Sequence, residues 1–211
     1  MVSLILIFVL SYLVGSIPTS IIFSKLFRGI DIREHGSGNA GGTNAWRILG
    51  WKLGLSVMLI DIAKGIVATV LIAKIRVDQP AMSGDLIQIF AGLSAIIGHI
   101  WTVFAGFRGG KGVGTGAGMI IGIYPLAALV CLIVFGLTLF LSRIVSVSSM
   151  ISAISLPITL AVLRFGLQRP VSDVMLYFGA LIALLIVFTH RSNIKRLLKG
   201  EENKIGSKVK Q

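Results

Sequence analysis

The chain has 211 residues; 55% are hydrophobic, only 13% are charged, and 25 are glycine, with a mean hydropathy of +0.93. An ordinary soluble domain is excluded by that composition. The formal net charge of +12 does not point to nucleic acid, because the Lys and Arg residues lie at the ends of apolar runs and in the tail, where a cytoplasmic membrane face places them.

Taken in chain order, apolar runs cover residues 3–24, 53–73, 85–105, 113–141, 149–165 and 172–189, each bounded by charge, Gly or Pro. The first run has no basic residue ahead of it, and Lys25 and Arg28 follow it. That charge order is wrong for a cleavable signal peptide and right for a helix with its N-terminus outside. Cys131, inside an apolar run, is read as a small apolar packing residue and excludes an internal disulfide.

Tyr124-Pro125 interrupts the run from 113 to 141, since proline removes a backbone donor and biases its predecessor away from helix. A single crossing there would leave the basic tail outside. Two crossings, 113–123 and 125–141, return it to the cytoplasm and place every Lys and Arg on that side except Lys64 and the four residues Lys74, Arg76, Arg164 and Arg169. The expected fold is therefore an all-α integral membrane protein, a seven-transmembrane bundle with the N-terminus outside and the C-terminus cytoplasmic. The fourth helix is short, about 18 Å for Gly112 to Ile123, so a broken or re-entrant segment is expected there, near a site. No internal repeat or linker divides the chain, so residues 1–211 read as one membrane domain, with a polar tail at 203–211 that frays beyond Glu202.

On this topology four polar segments face the cytoplasm. The first runs Gly36-Ser37-Gly38-Asn39-Ala40-Gly41-Gly42-Thr43-Asn44, followed by Arg47. Its glycines permit positive φ and a nest of inward N–H groups for an oxyanion, and Arg47 adds a planar charge suited to phosphate. In the second, Phe107-Arg108-Gly109-Gly110-Lys111-Gly112-Val113-Gly114-Thr115, glycines and a lysine run into a helix start, the composition of a phosphate cradle. It is not a Walker A loop, because Gly112 stands where Ser or Thr would hold magnesium. Gly114 and Gly118, at GxxxG spacing, also fit close helix packing. The third segment, Arg143 to Ser149, carries Ser146. In the fourth, His190 and Asn193 share a face if the last helix continues through them.

His99 is expected to position the second loop and His35 to face water. Asp61 and Lys64, one turn apart in the second crossing, are expected to neutralise each other as a structural pair. Trp46, Trp51 and Trp101 read as interfacial anchors. Acids near the cytoplasmic segments are too scarce to suggest a metal site, and no metal or cofactor is expected.

Together these residues resemble the bacterial acyl-phosphate:glycerol-3-phosphate acyltransferase family, the PlsY type. The resemblance is carried by Gly36 to Asn44 with Arg47, by Gly98-His99 leading to Gly109-Gly110-Lys111-Gly112-Val113 and Thr115, and by His190, Arg191, Asn193, Ile194, Arg196 and Leu197 with Gly200 and Glu202. Gly42 and Gly114 stand where that family usually has alanine, and Thr102 where proline is common. The resemblance implies transfer of a fatty acyl group from acyl phosphate to the 1-hydroxyl of glycerol 3-phosphate, giving lysophosphatidic acid, at the cytoplasmic face of the bacterial cell membrane. It implies catalytic roles for Ser37, Arg47, Lys111, His190 and Asn193. Substrate-binding roles follow for Gly36, Gly38, Asn39, Thr43, Asn44, Gly109, Gly110, Gly112, Thr115 and Ser146. The partners are the two substrates and membrane lipid, with no nucleic acid and no obligate protein partner.

Two other readings compete. An acyltransferase using acyl-CoA or acyl carrier protein would carry His-x-x-x-x-Asp, but the residues five beyond His35, His99 and His190 are Ala40, Phe104 and Lys195. An organic-phosphate carrier would show paired Gly-interrupted segments in two symmetric halves, and the sequence has no such symmetry.

Overall fold

The structure, a computed structural model, describes residues 1–79 and 81–206. Among the described residues the α-helices are, in order, α1 Val2–Ser16, α2 Thr19–Arg28, α3 Gly42–Leu49, α4 Trp51–Ile66, α5 Gly84–Ile100, α6 Val113–Ile123, α7 Pro125–Ser142, α8 Val145–Ala161, α9 Asp173–Thr189 and α10 Arg191–Leu198. Five spans are long and apolar enough to cross a membrane: Val2–Arg28, Trp51–Lys74, Gly84–Ala105, Pro125–Ser142 and Val145–Gly166. The α9–α10 pair makes a sixth if counted as one bent span, and α6 is a shorter apolar helix. The Tyr124-Pro125 interruption is where α6 ends and α7 begins, with proline at the first helical position, where its missing N–H leaves no bond unmade.

The chain divides into two compact units, residues 1–123 and 124–206 among those described. In the first unit α1 packs on α5, and α6 packs on α4 and α5. Both main pairings depend on residues without side chains. A Cβ on Gly15 would strike the Ala95 backbone and one on Gly98 the Tyr12 carbonyl. Likewise Gly65 meets the Thr115 carbonyl and Gly118 the Ile62 carbonyl. In lipid, where burial of apolar surface does not favour helix over tail, this close approach supplies the dispersion contact that holds helices together. The packing role foreseen for the second half of the glycine-rich segment is thus observed at Gly118.

Residues 3–24 contain a break that the hydropathy pattern conceals. Pro18, which has no N–H, separates α1 from α2 and frees carbonyls at membrane depth. Neighbouring side chains satisfy them: Lys64 Nζ donates to Ile17 O at 2.6 Å, and the Thr102 hydroxyl donates to Ser16 O. Thr102, in a position where the related pattern carries proline, therefore supplies a tie that proline lacks. At the other end of α1, Asp78 accepts from the N–H groups of Val2 and Ser3 at 2.9 and 3.0 Å and pairs with the Met1 ammonium. These are orphan donors of a first helical turn. The hydrogen bonds and the ammonium hold the Asp78 carboxyl well below its ordinary range.

In the second unit α8 packs between α7 and α9. Hardly any of α7 is buried, which suits a helix facing lipid. Cys131 is half-buried rather than enclosed; its carbonyl accepts from the Ser152 hydroxyl at 2.8 Å. Just beyond Glu202, Ile205 donates its N–H to Arg143 O at 2.8 Å, tying that part of the chain back after α10. The part of the 203–211 tail from 207 onward lies outside the described residues.

Candidate active site

The first glycine-rich segment is a turn built around Asn44. This side chain is only 1% exposed, accepts from the Ser37 N–H at 2.9 Å and donates to Ile32 O at 3.1 Å and His35 O at 2.9 Å. Gly36 and Gly38 have φ of +62° and +71°, the left-handed region where a side chain is strained. Gly38 donates its N–H to His35 O. Two N–H groups of the expected nest are thus engaged inside the loop, and Asn44 shapes the turn instead of offering its amide outward. His35 is exposed, while Ser37 and Arg47 are partly buried.

An ion pair joins this segment to the next. Arg33 makes a two-pronged contact with Asp31, at 3.0 Å from Nε and 2.7 Å from NH2, and its third nitrogen donates to Ala105 O at 2.8 Å. Hydrogen bonds from the Arg33 side chain and backbone hold the Asp31 carboxyl at about 2. A guanidinium geometry of this kind is rigid in a way a lysine is not. The opposite charges of Asp31 and Arg33, two residues apart ahead of the glycine-rich turn, are the only mark of this pair in the sequence.

The second segment departs from the expected cradle in one respect. Gly109 donates to Ile100 O and Gly110 to His99 O, both at 3.0 Å, so their N–H groups cap the end of α5. The donors left for an anion are those around the start of α6, beginning at Val113, where a first turn lacks intrahelical acceptors. Gly112 (φ +83°) supplies the turn into that helix. Thr115 is fully buried, and its hydroxyl has no hydrogen-bond partner among the described residues. Gly110 packs directly on the first segment: a Cβ there would lie 3.0 Å from Ala40 O. Gly110 thus joins the two glycine-rich segments; Ser37 lies in the first, Lys111 in the second, and Arg47 in α3, which follows the first.

Ser146, His190 and Asn193 belong to the second unit. The last helix does not continue straight through them: α9 and α10 are bent by 57°, with His190 at the break. The His190 N–H bonds back to Ile186 and Val187, and its ring Nδ1 donates to Ile186 O at 2.7 Å. That bond sets the ring orientation and directs Nε2 as its other polar atom. Glu202 accepts from Ser146 Oγ at 2.9 Å, Asn193 Nδ2 at 2.6 Å and Arg196 Nε at 2.7 Å. Burial raises the Glu202 carboxyl, but the three donors more than offset it and leave it below its ordinary range. The hydroxyl of Ser146, assigned to substrate from sequence, is directed to this carboxylate. The acidic pair Glu201-Glu202 among basic residues after the last span was the sequence signal for Glu202.

Apolar helices joined through glycine contacts, with cationic glycine-rich loops at their ends, define a multi-span integral membrane protein. A family model described as Glycerol-3-phosphate acyltransferase matches residues 5–200. The chain is 48% identical to the glycerol-3-phosphate acyltransferase of Chlorobium limicola and 47% identical to that of Chlorobaculum tepidum, in each case over 97% of both chains. Two crystal structures are similar to it. The glycerol 3-phosphate form of PlsY, an integral membrane glycerol 3-phosphate acyltransferase, has a TM-score of 0.85 at 34% identity, and covers 97% of this chain and 96% of that one. The lysophosphatidic acid form has a TM-score of 0.80 at 35% identity, with the same coverage. This chain belongs to the glycerol-3-phosphate acyltransferase family.

Proposed function

We propose that this chain transfers a fatty acyl group from acyl phosphate to the 1-hydroxyl of glycerol 3-phosphate, releasing phosphate and giving lysophosphatidic acid as the first acylation of phospholipid synthesis. The hydroxyl oxygen attacks the acyl carbon, the bond from that carbon to the phosphate oxygen breaks, and the hydroxyl proton passes to His190 or to a substrate phosphate. Acyl phosphate is already an activated mixed anhydride, so orientation and charge compensation suffice, and the reaction needs no cofactor.

In this reading Arg47 and Lys111 bind phosphate oxygens, Ser37 hydrogen-bonds a substrate, and His190 and Asn193 orient glycerol 3-phosphate. Gly36, Gly38, Asn39, Thr43, Asn44, Gly109, Gly110, Gly112, Thr115 and Ser146 shape or line the binding surfaces. The proposed topology has seven crossings, counting α6 and the bent α9–α10 pair, with the N-terminus outside and the loops of Arg47, Lys111 and His190 at the cytoplasmic face of a bacterial cell membrane. The acyl chain remains in lipid.

The observation that carries the reading is the packing of the two glycine-rich loops, Gly110 against Ala40, which supports a single phosphate-binding surface formed by the segments that carry Arg47 and Lys111. Purified protein in detergent, given palmitoyl phosphate, is expected to release phosphate only when glycerol 3-phosphate is added. Release that ignores the acceptor, or uptake into vesicles without chemistry, overturns it. Cysteines placed at Arg108 and Arg191 should react with an impermeant label from the same side of the membrane.

A further inference from the structure

The loop Gly109–Gly112 rests at both ends on one buried cluster within the spanning helices. Asp61 and Lys64 of α4 are each 4% exposed. Lys64 Nζ lies 2.6 Å from Asp61 Oδ1, and the same carboxylate oxygen accepts from the Thr19 hydroxyl at 3.2 Å and stands 3.8 Å from His99 Nδ1. At the near end of the loop Gly110 donates to His99 O, and His99 Nε2 occupies the space where a Cβ of Gly110 would lie. Just past the far end, in the first turn of α6, a Cβ on Gly114 would be 3.2 Å from Asp61 Cβ. A cavity of about 10 Å³ among Thr19, Asp61, His99, Gly109 and Gly110 has room for one water, with polar partners around it.

Packing alone does not call for these groups. Where α4 meets α6 at Gly65 and Gly118, small residues suffice, whereas an ion pair at this depth carries a desolvation cost that apolar residues of the same volume avoid. The pair is aimed at two specific targets. Lys64 donates to the Ile17 carbonyl at the Pro18 break, which the Thr19 N–H also reaches, and Asp61 faces His99, the residue on which Gly110 lies.

We propose that Asp61 and Lys64 are positioning residues for acyl transfer: they hold His99, and through it set the height of the Gly109–Gly112 loop and the placement of Lys111. This rests on the reading of that loop as a phosphate-binding segment. Asp61 touches the first turn of α6, into which the loop runs, at Gly114 and faces the loop's support at His99, so removing the charge pair shifts both flanks of the loop together. Misplacement by about 1 Å lowers turnover on the order of 10²-fold.

The test is the variant Asp61→Asn/Lys64→Met, which removes both charges and leaves neither stranded. Turnover and KM for each substrate are measured in detergent, alongside amide hydrogen exchange of the peptide covering 103–116. We expect a monodisperse protein in which kcat falls on the order of 10²-fold and the peptide exchanges faster. Adding Gly110→Ala, which displaces the same loop, should produce little further loss, because the two changes act on one element. A folded variant with wild-type turnover and unchanged exchange overturns the proposal, as do losses that multiply with Gly110→Ala. If the double variant does not fold, Thr19→Val removes one hydrogen bond to Asp61 and takes the same measurements, with smaller changes in the same direction expected. Wild-type protein that shows no acceptor-dependent phosphate release overturns the acyltransfer reading instead, while the exchange data still decide whether the pair positions the loop.

Discussion

Asn193 donates its side-chain amide to Glu202 at 2.6 Å, across the turn that follows α10. The bond sets which way the amide faces, so its carbonyl oxygen is the end not engaged by Glu202. The carboxylate that holds Asn193 also anchors Ser146 and Arg196.

Glu202→Ala should therefore lower stability by about 2–3 kcal/mol, since it strands donors that had a charged acceptor. Glu202→Gln should lose less, keeping one acceptor oxygen but presenting an N–H to Arg196. Thermal unfolding in detergent, followed by intrinsic fluorescence, reads the difference; equal melting temperatures for all three proteins contradict the assignment.

Lys111→Ala and Arg47→Ala should each reduce acceptor-dependent phosphate release by about 10²-fold or more, as expected when a charge aimed at a phosphate is removed. Near wild-type rates for both variants remove these residues from the reaction.

Two glycines in membrane helices should answer oppositely to alanine. Gly118→Ala drives a Cβ into the Ile62 carbonyl, which is backbone and cannot move aside, whereas Gly136→Ala in α7 meets nothing within 4 Å. The first should unfold at lower temperature, and the second should gain up to about 1 kcal/mol from helix propensity. Gly112→Ala, at φ +83°, should carry a strain of about 1–2 kcal/mol and lose turnover.

The Asp31–Arg33 pair predicts a pH dependence with a definite sign. The folded carboxyl, at about 2, lies below its ordinary value of 3.8, so the unfolded chain binds a proton first as pH falls. The stabilisation is fully present above about pH 4 and is lost as pH falls through about 2. Asp31→Asn should melt below wild type at neutral pH, and the gap should close on acidification through that window. A gap that widens in acid contradicts the assignment.

Parts of the site can be read from residue types alone. Lys111 ahead of a helix start and Arg47 after a glycine turn are local patterns, and the Tyr124-Pro125 interruption follows from proline's missing donor. Asp61 and Lys64, three residues apart on a helix, meet as their spacing requires. Other features have no local mark. Gly109 and Gly110 look available for an anion until α5 is seen to end against them. Asn44 looks like a ligand until its three partners are found within its own turn. The bend at His190 lies in a stretch whose composition is compatible with an unbroken helix.

The sequence by itself determined that this chain is a membrane-embedded helical protein, and which segments carry cationic charge beside flexible backbone. Periodicity, hydropathy and backbone freedom are properties of neighbouring residues, and the bilayer acts on them directly. Only the tertiary structure decided which polar atoms remain available to a ligand and which are engaged within the protein. A hydrogen bond between residues as far apart in the chain as Arg33 and Ala105 depends on how helices pack. That packing is set in turn by where glycine lets two backbones approach.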